Sequence, residues 1–344
     1  MEKAGASEIK WLIVVIVLSD VILKGISNFA SDYGTGAYIS VVISAIVCAV
    51  VLMLTNRAFA HKDFHKVLCS IYGIKSAGFI CLSLAVFTLM YASLIMGEYA
   101  LAIKKFMLPA TSEIFILAMM SAALLAVCLT GYEAICRYSS VAAWVFLGFV
   151  SVIIFLSLTE AKTENIYPLL GKGNFKVSLQ PFGMFSFVGY YYVISSKAAG
   201  RHKATAFKSL AISFSIIIVL VVIWTLCVPY PLSAKISYPL HRLSLLANNS
   251  IIFQRLDGLV FIIWIFSAFI SSGALMLIAA TVFSEVLGLK NQNAVSPAIV
   301  FLAFLLSASG FGFLAFSRAF ICLFFLVFMP VSAVICRLKG VGKS

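Results

Sequence analysis

A succession of long apolar segments, separated by short clusters of charged residues, constrains the fold of this chain more than any other feature. Each segment is roughly 20 residues long, which is the length that a straight helix needs to cross the hydrocarbon core of a bilayer. Hydrophobic residues make up 63% of the 344 positions and charged residues 11%, whereas about a quarter of a soluble domain is charged. The sequence therefore excludes a water-soluble globule and predicts an all-α, polytopic membrane protein.

We predict ten transmembrane helices within a single transmembrane domain. They lie at residues 11–30, 37–55, 72–96, 112–130, 139–159, 182–197, 207–229, 256–284, 296–315 and 318–336. No small-residue cleavage site follows the first segment, so we expect it to be retained as a helix. The eight cysteines fall mostly inside these segments and form no Cys-x-x-Cys pair, so we predict neither a metal site nor a redox motif.

The basic residues are distributed unevenly between the two sets of loops. Fifteen Lys or Arg fall on one side of the membrane and nine on the other, where Arg318 is counted. Cytoplasmic loops carry the excess of Lys and Arg, so we predict that both termini are cytoplasmic, which requires an even number of spans. This distribution also accounts for the net charge of +13 without a nucleic-acid partner.

The first apolar segment is interrupted by charged residues and a glycine. With Trp11 at the cytoplasmic interface, Asp20 lies about 14 Å and Lys24 about 20 Å into the membrane, one helical turn apart on one face. A break at Lys24 and Gly25 would free backbone groups for a ligand. Asp20 and Lys24 either form a structural ion pair or contact a zwitterionic ligand or a coupling ion.

The segment Pro181–Ser196, which opens the second half of the chain, is short for a membrane span and contains three helix-disfavouring residues. Two broken segments in corresponding positions of two halves indicate a substrate site near the bilayer midplane. In this second segment we predict that Phe187, Gly189, Tyr190 and Tyr191 line a small pocket, because glycine lets the backbone leave helical geometry. The alternative is that the tyrosines Tyr190–Tyr192 belong to an aromatic belt at a membrane interface.

Further small or polar residues interrupt the other spans. Ser272, within Ser271–Gly273, and Tyr91 are additional candidates for substrate binding, although such residues in membrane helices more often serve close packing. We expect Glu98, near the end of the third span, to reach the outer surface. No nucleophile–base pair, phosphate-binding loop or dinucleotide-binding loop occurs, so we predict no enzyme activity, no catalytic residue and no cofactor.

The loop after the seventh predicted span alternates apolar and polar residues over Tyr238–Leu246. This spacing predicts a short amphipathic helix on the outer face of the membrane. The helix is either an ordered connector or a lid over the site, and the spacing alone leaves both open.

Several stretches resemble the spore-germination permeases, which are the membrane-embedded B subunits of endospore germinant receptors. The most specific is Arg255-Leu-Asp-Gly-Leu-Val-Phe-Ile-Ile-Trp264, which follows Tyr238-Pro-Leu-His-Arg-Leu. Tyr167-Pro-Leu-Leu-Gly-Lys-Gly173 and the aromatic-rich Phe182–Gly189 are also similar to the family. The resemblance covers nearly the whole chain in length and in the order of its spans.

The resemblance also implies a superfamily and a fold, neither of which follows from the residues above alone. The family belongs to the amino acid–polyamine–organocation superfamily, with a leucine-transporter-like fold of five-plus-five inverted repeats. The repeats would be about 10–160 and 181–338, with helices one and six unwound around an amino-acid-sized ligand. The acidic residue that often follows the sixth-helix glycine in such permeases is absent here, and Tyr190–Tyr192 stand in its place.

The resemblance also implies partners and a location. They are a germinant receptor A subunit with soluble domains, a lipoprotein C subunit, and the spore inner membrane or cell membrane. We therefore expect a sensor of a small germinant, in particular an amino acid, that signals to these subunits. The alternatives are a proton- or sodium-coupled amino-acid transporter of the same fold, and a scaffold subunit that binds no ligand.

Overall fold

The computed structural model describes residues 4–59, 63–171, 180–195, 204–247, 256–289, 294–310 and 314–339. Within these ranges every regular element is a helix. Arg255 and the pair Lys172–Gly173, which belong to the motifs quoted above, lie outside the described residues.

The helices of the first half are α1 Ala6–Asp20, α2 Ile26–Tyr33, α3 Ala37–Phe59, α4 Phe64–Tyr72, α5 Ile74–Phe106, α6 Glu113–Thr130 and α7 Tyr132–Ser157. Those of the second half are α8 Gln180–Ser186, α9 Tyr190–Ser195, α10 Ala204–Cys227, α11 Leu232–Lys235, α12 Pro239–Ala247, α13 Leu256–Val286, α14 Ser296–Ala308, α15 Leu314–Leu323 and α16 Met329–Leu338.

Seven helical segments of the described chain are long and apolar enough to cross a membrane. The first of these, Ala6–Asn56, contains two of the predicted spans, which are separated at Gly34, where φ is +60°. The predicted spans 182–197 and 296–315 fall on the shorter apolar elements α8–α9 and α14. An integral membrane protein is therefore supported, whereas ten spans and an inverted repeat stay predictions.

The first helix is not unwound, and the expectation that the helix breaks at Lys24 and Gly25 is wrong. A π turn, Val21–Gly25, joins α1 to α2. The backbone is right-handed helical on both sides, with φ −63° and ψ −44° at Val21 and φ −64° and ψ −43° at Ile26. A π turn inserts one residue into a helix without freeing a whole run of backbone groups, which is why the helix continues.

The sixth predicted helix is also continuous through its glycine. A 3₁₀ turn, Phe187–Gly189, joins α8 to α9, and Ser186 and Tyr190 on either side of it keep helical dihedrals. A Cβ at Gly189 would collide with the ring of Phe325. The glycine therefore permits close packing of two helices and does not let the backbone leave the helix, as the sequence had suggested.

The core forms where α5 and α13 pack along each other, with α1 against α7, α10 and α13. The amphipathic helix predicted over Tyr238–Leu246 is confirmed as α12, which packs on α7, on α13 and on the π turn. The loop after α7 is fixed to the junction of α2 and α3, where the Tyr38 hydroxyl donates to the Leu169 carbonyl at 2.7 Å. The π turn thus packs against one ordered helix, α12, and is followed by α2, whose end is anchored to the loop after α7.

Candidate functional site

Asp20, the last residue of α1, forms an ion pair with Arg318 of α15. The Asp20 side chain is 3% exposed and that of Arg318 is 18% exposed. Removing two charges from water is expensive, and a buried pair persists only where geometry and further hydrogen bonds compensate. Ionisable residues inside a membrane protein are functional-site candidates for this reason.

Several polar atoms around this pair lack partners in the described residues. Asp20 Oδ2 and Arg318 Nε are buried and form no hydrogen bond. The buried Tyr91 hydroxyl lies close enough to both charges to interact with them electrostatically, yet it forms no hydrogen bond of standard geometry. Buried polar atoms are normally paired, so this group of an acceptor, a donor and a hydroxyl is suited to a polar ligand.

The helices that carry the sequence-predicted aromatic segment form one wall of this site. Phe187 stacks on the Tyr91 ring with centroids 4.6 Å apart. Gly183 of α8 lies against the Arg318 side chain, whose Cγ would be 3.3 Å from a Cβ at this glycine. Gly25 of the π turn lies against the Met184 side chain, so α8 approaches both charged helices closely.

A second ion pair lies one turn further along the first helix. Lys24 Nζ is 3.4 Å from Glu98 Oε1 of α5, and the two side chains are 32% and 25% exposed. The alternative in which Asp20 pairs with Lys24 is therefore wrong, because each has a different partner. Glu98 faces the first helix, and because its side chain is 25% exposed the expectation that it reaches the outer surface stays a prediction.

Tyr99 of α5 connects the first helix to α13. Its hydroxyl donates to the Ser19 carbonyl at 2.9 Å and lies 2.9 Å from the Ser267 hydroxyl. All three residues are buried. This connection fixes the backbone immediately before Asp20.

The tyrosines after the 3₁₀ turn have structural partners. The Tyr190 hydroxyl lies 2.7 Å from Thr88 Oγ1, and the Tyr192 hydroxyl lies 2.9 Å from Thr55 Oγ1. Tyr191 is fully buried between these two residues. A cavity of about 10 Å³ borders Gly189 and Tyr192, which is enough for one water at most. Among the described residues the tyrosines fill space in this conformation, and their role in lining a ligand pocket stays a prediction.

Ser272 lies in α13 beside Gly273, where a Cβ would be 3.0 Å from Val127 of α6. Its hydroxyl is buried and forms no hydrogen bond within the described residues. The structure therefore brings together Asp20, Gly25, Tyr91 and Phe187, with Lys24 one turn away. Gly189, Tyr190 and Tyr191 lie behind Phe187, and the described contacts do not connect Ser272 to the ion pair.

Sequence reasoning missed Arg318, which the structure places opposite Asp20 and not in an outer loop. The signal was present, because Arg318 is the only charged residue between Lys290 and Arg337. A lone arginine with apolar neighbours on both sides must find a partner inside the protein. Tyr99 and Glu98 were not recognisable as site residues, because their partners on the first helix are 80 and 74 residues away in the sequence.

Solved transporter structures share this fold. A Na⁺-coupled sialic acid symporter matches with TM-score 0.64 at 13% identity, covering 94% of this chain and 78% of its own. Mhp1, a nucleobase-cation-symport-1 family transporter, matches with TM-score 0.68 at 14% identity, covering 99% and 77%. The Eremococcus coleocola manganese transporter matches with TM-score 0.59 at 14% identity, covering 98% and 78%. These similarities show that the chain shares the all-helical fold of these transporters.

A comparison with protein-family models identifies a match over residues 5–311, and the family is described as spore germination protein. The matched residues include every element of the site except Arg318, which follows the matched region. No curated protein sequence matches the chain significantly.

Proposed function

The chain belongs to the spore germination protein family, and from this membership together with the site around Asp20 we propose that it is the ligand-sensing membrane subunit of a germinant receptor. The observation that carries the proposal is the buried Asp20–Arg318 pair with unpaired polar atoms on both partners. We place this pair on a ten-helix scaffold of two inverted repeats, about residues 10–160 and 181–338, with both termini in the cytoplasm of the spore or cell.

The chemistry of the site favours a small zwitterion such as an amino acid. Asp20 Oδ2 can accept a hydrogen bond from an ammonium group, and Arg318 Nε can donate one to a carboxylate. Charge-assisted hydrogen bonds of this kind are stronger than neutral ones. The stacked rings of Tyr91 and Phe187 would contact the ligand's apolar part.

Binding would act on the receptor by population shift. A ligand that replaces the direct contact between Asp20 and Arg318 would favour a state in which α1 and α15 are further apart. We propose that receptor A and C subunits detect that change, because a sensor must pass occupancy to a partner to trigger germination.

A coupled amino-acid transporter is the second candidate function. The observation that favours it is the likeness of fold to a Na⁺-coupled symporter and to a nucleobase–cation symporter. Asp20 and Lys24 could serve ion coupling as well as ligand binding, and a fold alone does not distinguish these functions.

Binding and uptake of labelled amino acids by the purified protein in proteoliposomes, with and without an imposed proton or sodium gradient, test both candidates. Saturable binding without accumulation would support the sensor, and accumulation against a gradient would support the transporter. Asp20→Asn should abolish binding, whereas Asp63→Asn, the same change in an exposed pair with Lys66, should not. The absence of binding for every amino acid would contradict an amino-acid site at Asp20.

A further inference from the structure

A large groove lies between α1, α7 and α13, separate from the Asp20–Arg318 pair. Its volume is about 570 Å³. The lining is almost wholly apolar and includes Val15 of α1, Tyr138, Val145 and Phe149 of α7, and Ile262 and Phe266 of α13. Tyr138, Val145 and Phe266 are more than half exposed, so the groove opens on the surface of the helix bundle.

The length of the groove matches one leaflet of a bilayer. Along α7 the lining runs from Arg137 to Phe149, a rise of about 18 Å at about 1.5 Å per residue. Half of a hydrocarbon core of about 30 Å is about 15 Å. An extended acyl chain in the groove would therefore begin at Arg137 and end near the bilayer midplane.

The chemistry at the Arg137 end is that of a membrane interface. Arg137 lines the groove; Trp144, seven residues further along α7, places its ring 5.1 Å from that of Trp11, and the Lys10 ammonium lies 4.6 Å from the Trp11 ring. Tryptophan is enriched at interfaces, and basic pockets between membrane helices on the cytoplasmic side bind lipid head groups.

Among the described residues that line the groove, none is acidic. Glu8 and Glu133 lie in the first turns of α1 and α7, where a carboxylate favours the positive end of the helix dipole. Glu8 also accepts a hydrogen bond from the Gly5 amide at 3.0 Å. The charge that faces the groove itself is the positive charge of Arg137.

We propose that this groove is a phospholipid site, which holds one acyl chain of a glycerophospholipid with its phosphate at Arg137. The apolar lining, the leaflet-matched length and the arginine at one end together fit this occupant. A surface that binds another protein would be flatter or more strongly polar than this apolar groove.

A lipid in the groove would lie against the wall that supports the ligand site. Ser267 lines the groove, and its hydroxyl lies 2.9 Å from that of Tyr99, which bonds to the Ser19 carbonyl beside Asp20. Occupancy of the groove would therefore stabilise the position of α1 against α13.

A phospholipid with a photoreactive diazirine near the end of one acyl chain tests the proposal on the full chain in nanodiscs. Labelling should concentrate on α7 and α13 within the groove and exceed the labelling of the exposed face of α3. Ile46, Val50 and Met53 of α3 supply the comparison, because they are 59%, 51% and 63% exposed without lining the groove. Equal labelling of both regions would overturn the proposal, since it would indicate exchanging bulk lipid only.

Two variants sharpen the test. Ala142→Trp places a large ring in the groove and should remove the excess labelling, whereas Val50→Trp on α3 should leave it unchanged. Excess labelling that survives Ala142→Trp would contradict an acyl chain in the groove. Loss of the excess when partner subunits are present would indicate that a protein helix occupies the groove, and this also would overturn the proposal.

The phosphate contact is tested separately. Native mass spectrometry measures how much phospholipid stays bound to the protein after mild detergent extraction. Arg137→Gln should lower retention about fivefold, the effect of one basic residue at a membrane surface. Arg337→Gln is the matched control, because Arg337 donates to the Leu54 carbonyl at the end of α16. Equal retention by both variants would remove Arg137 from the site.

Discussion

Two helices of this protein contain an irregular turn, and the side chains around the two turns differ. At the π turn of the first helix, the adjacent Asp20 keeps one carboxylate oxygen without a partner. At the 3₁₀ turn of the second, Tyr190 and Tyr192 hydrogen-bond to threonines, and Phe325 lies against Gly189. An irregular helix inside a membrane protein is therefore not enough to identify a binding site. Polar atoms that are buried and unpaired identify it better.

The largest expected effect is that of Arg318→Met. It leaves the Asp20 carboxylate buried without its partner, and removing one member of a buried pair costs about 3–5 kcal/mol. Thermal unfolding of the purified protein should show this loss, and the double variant Asp20→Asn/Arg318→Met should recover most of it without recovering ligand binding. A single variant as stable as the wild type would show that the pair contributes nothing to the fold.

The next effect concerns the two glycines of the interrupted helices. Gly189→Ala should lose about 1–3 kcal/mol. Its methyl group would collide with the ring of Phe325, which is held in a second π turn, Phe324–Phe328, between α15 and α16. Gly25→Ala should lose less, because the obstructing atom is the flexible end of Met184. Thermal unfolding of both variants measures the two losses. A larger loss for Gly25→Ala than for Gly189→Ala would contradict the prediction.

A smaller and more diagnostic effect distinguishes two tyrosine hydroxyls. Tyr190→Phe removes a buried hydrogen bond to Thr88, which is worth about 1 kcal/mol, and should leave ligand binding unchanged. Tyr91→Phe removes a hydroxyl whose contacts with Arg318 and Asp20 fall short of standard hydrogen-bond geometry, so it should cost less stability than Tyr190→Phe and should weaken ligand binding. Unfolding curves and binding isotherms for both variants measure the contrast, and the reverse result would move the site to the second helix.

The smallest effect is expected at the partly exposed pair. Lys24→Gln should change the free energy of unfolding by about 0–1 kcal/mol, because ion pairs in contact with water contribute little. The two side chains are 32% and 25% exposed. A loss of unfolding free energy as large as that of Arg318→Met would contradict this prediction. It would show that the helices shield the Lys24–Glu98 pair from solvent more completely than described.

Much of the fold follows from the sequence, because uninterrupted apolar segments have few alternatives to membrane helices. The helix α12 was also predictable, since Leu240 and Leu243 alternate with polar residues and are buried as the spacing requires. The positions of the irregular turns were predicted near Gly25 and Gly189, but their form was not. A glycine is equally compatible with a broken backbone, a π turn and a close helix contact, and only the neighbouring side chain decides between them.

The charged partners show the other limit of the sequence. Asp20 and Lys24 were recognised as intramembrane charges, yet spacing along one helix suggested a pair that tertiary packing replaces. Their real partners, Arg318 and Glu98, are 298 and 74 residues away. Local periodicity reports only on residues within one helix and cannot reveal contacts between residues so far apart in the sequence. The functional roles of Asp20, Tyr91 and Phe187 stay predictions that the variants above address.

The π turn has a consequence for the direction in which Asp20 points. The wider turn of a π segment takes up one extra residue, so α1 and α2 keep nearly the relative orientation of an uninterrupted helix. A further residue inserted between Asp20 and Ile26 and continued as α-helix would rotate α1 by about 100° relative to α2. Because the Tyr38 bond to Leu169 anchors the chain just beyond α2, that rotation would fall on α1 and turn the carboxylate away from Arg318. The direction of this carboxylate thus depends on the number of residues between two helical segments, independently of which side chains those residues carry.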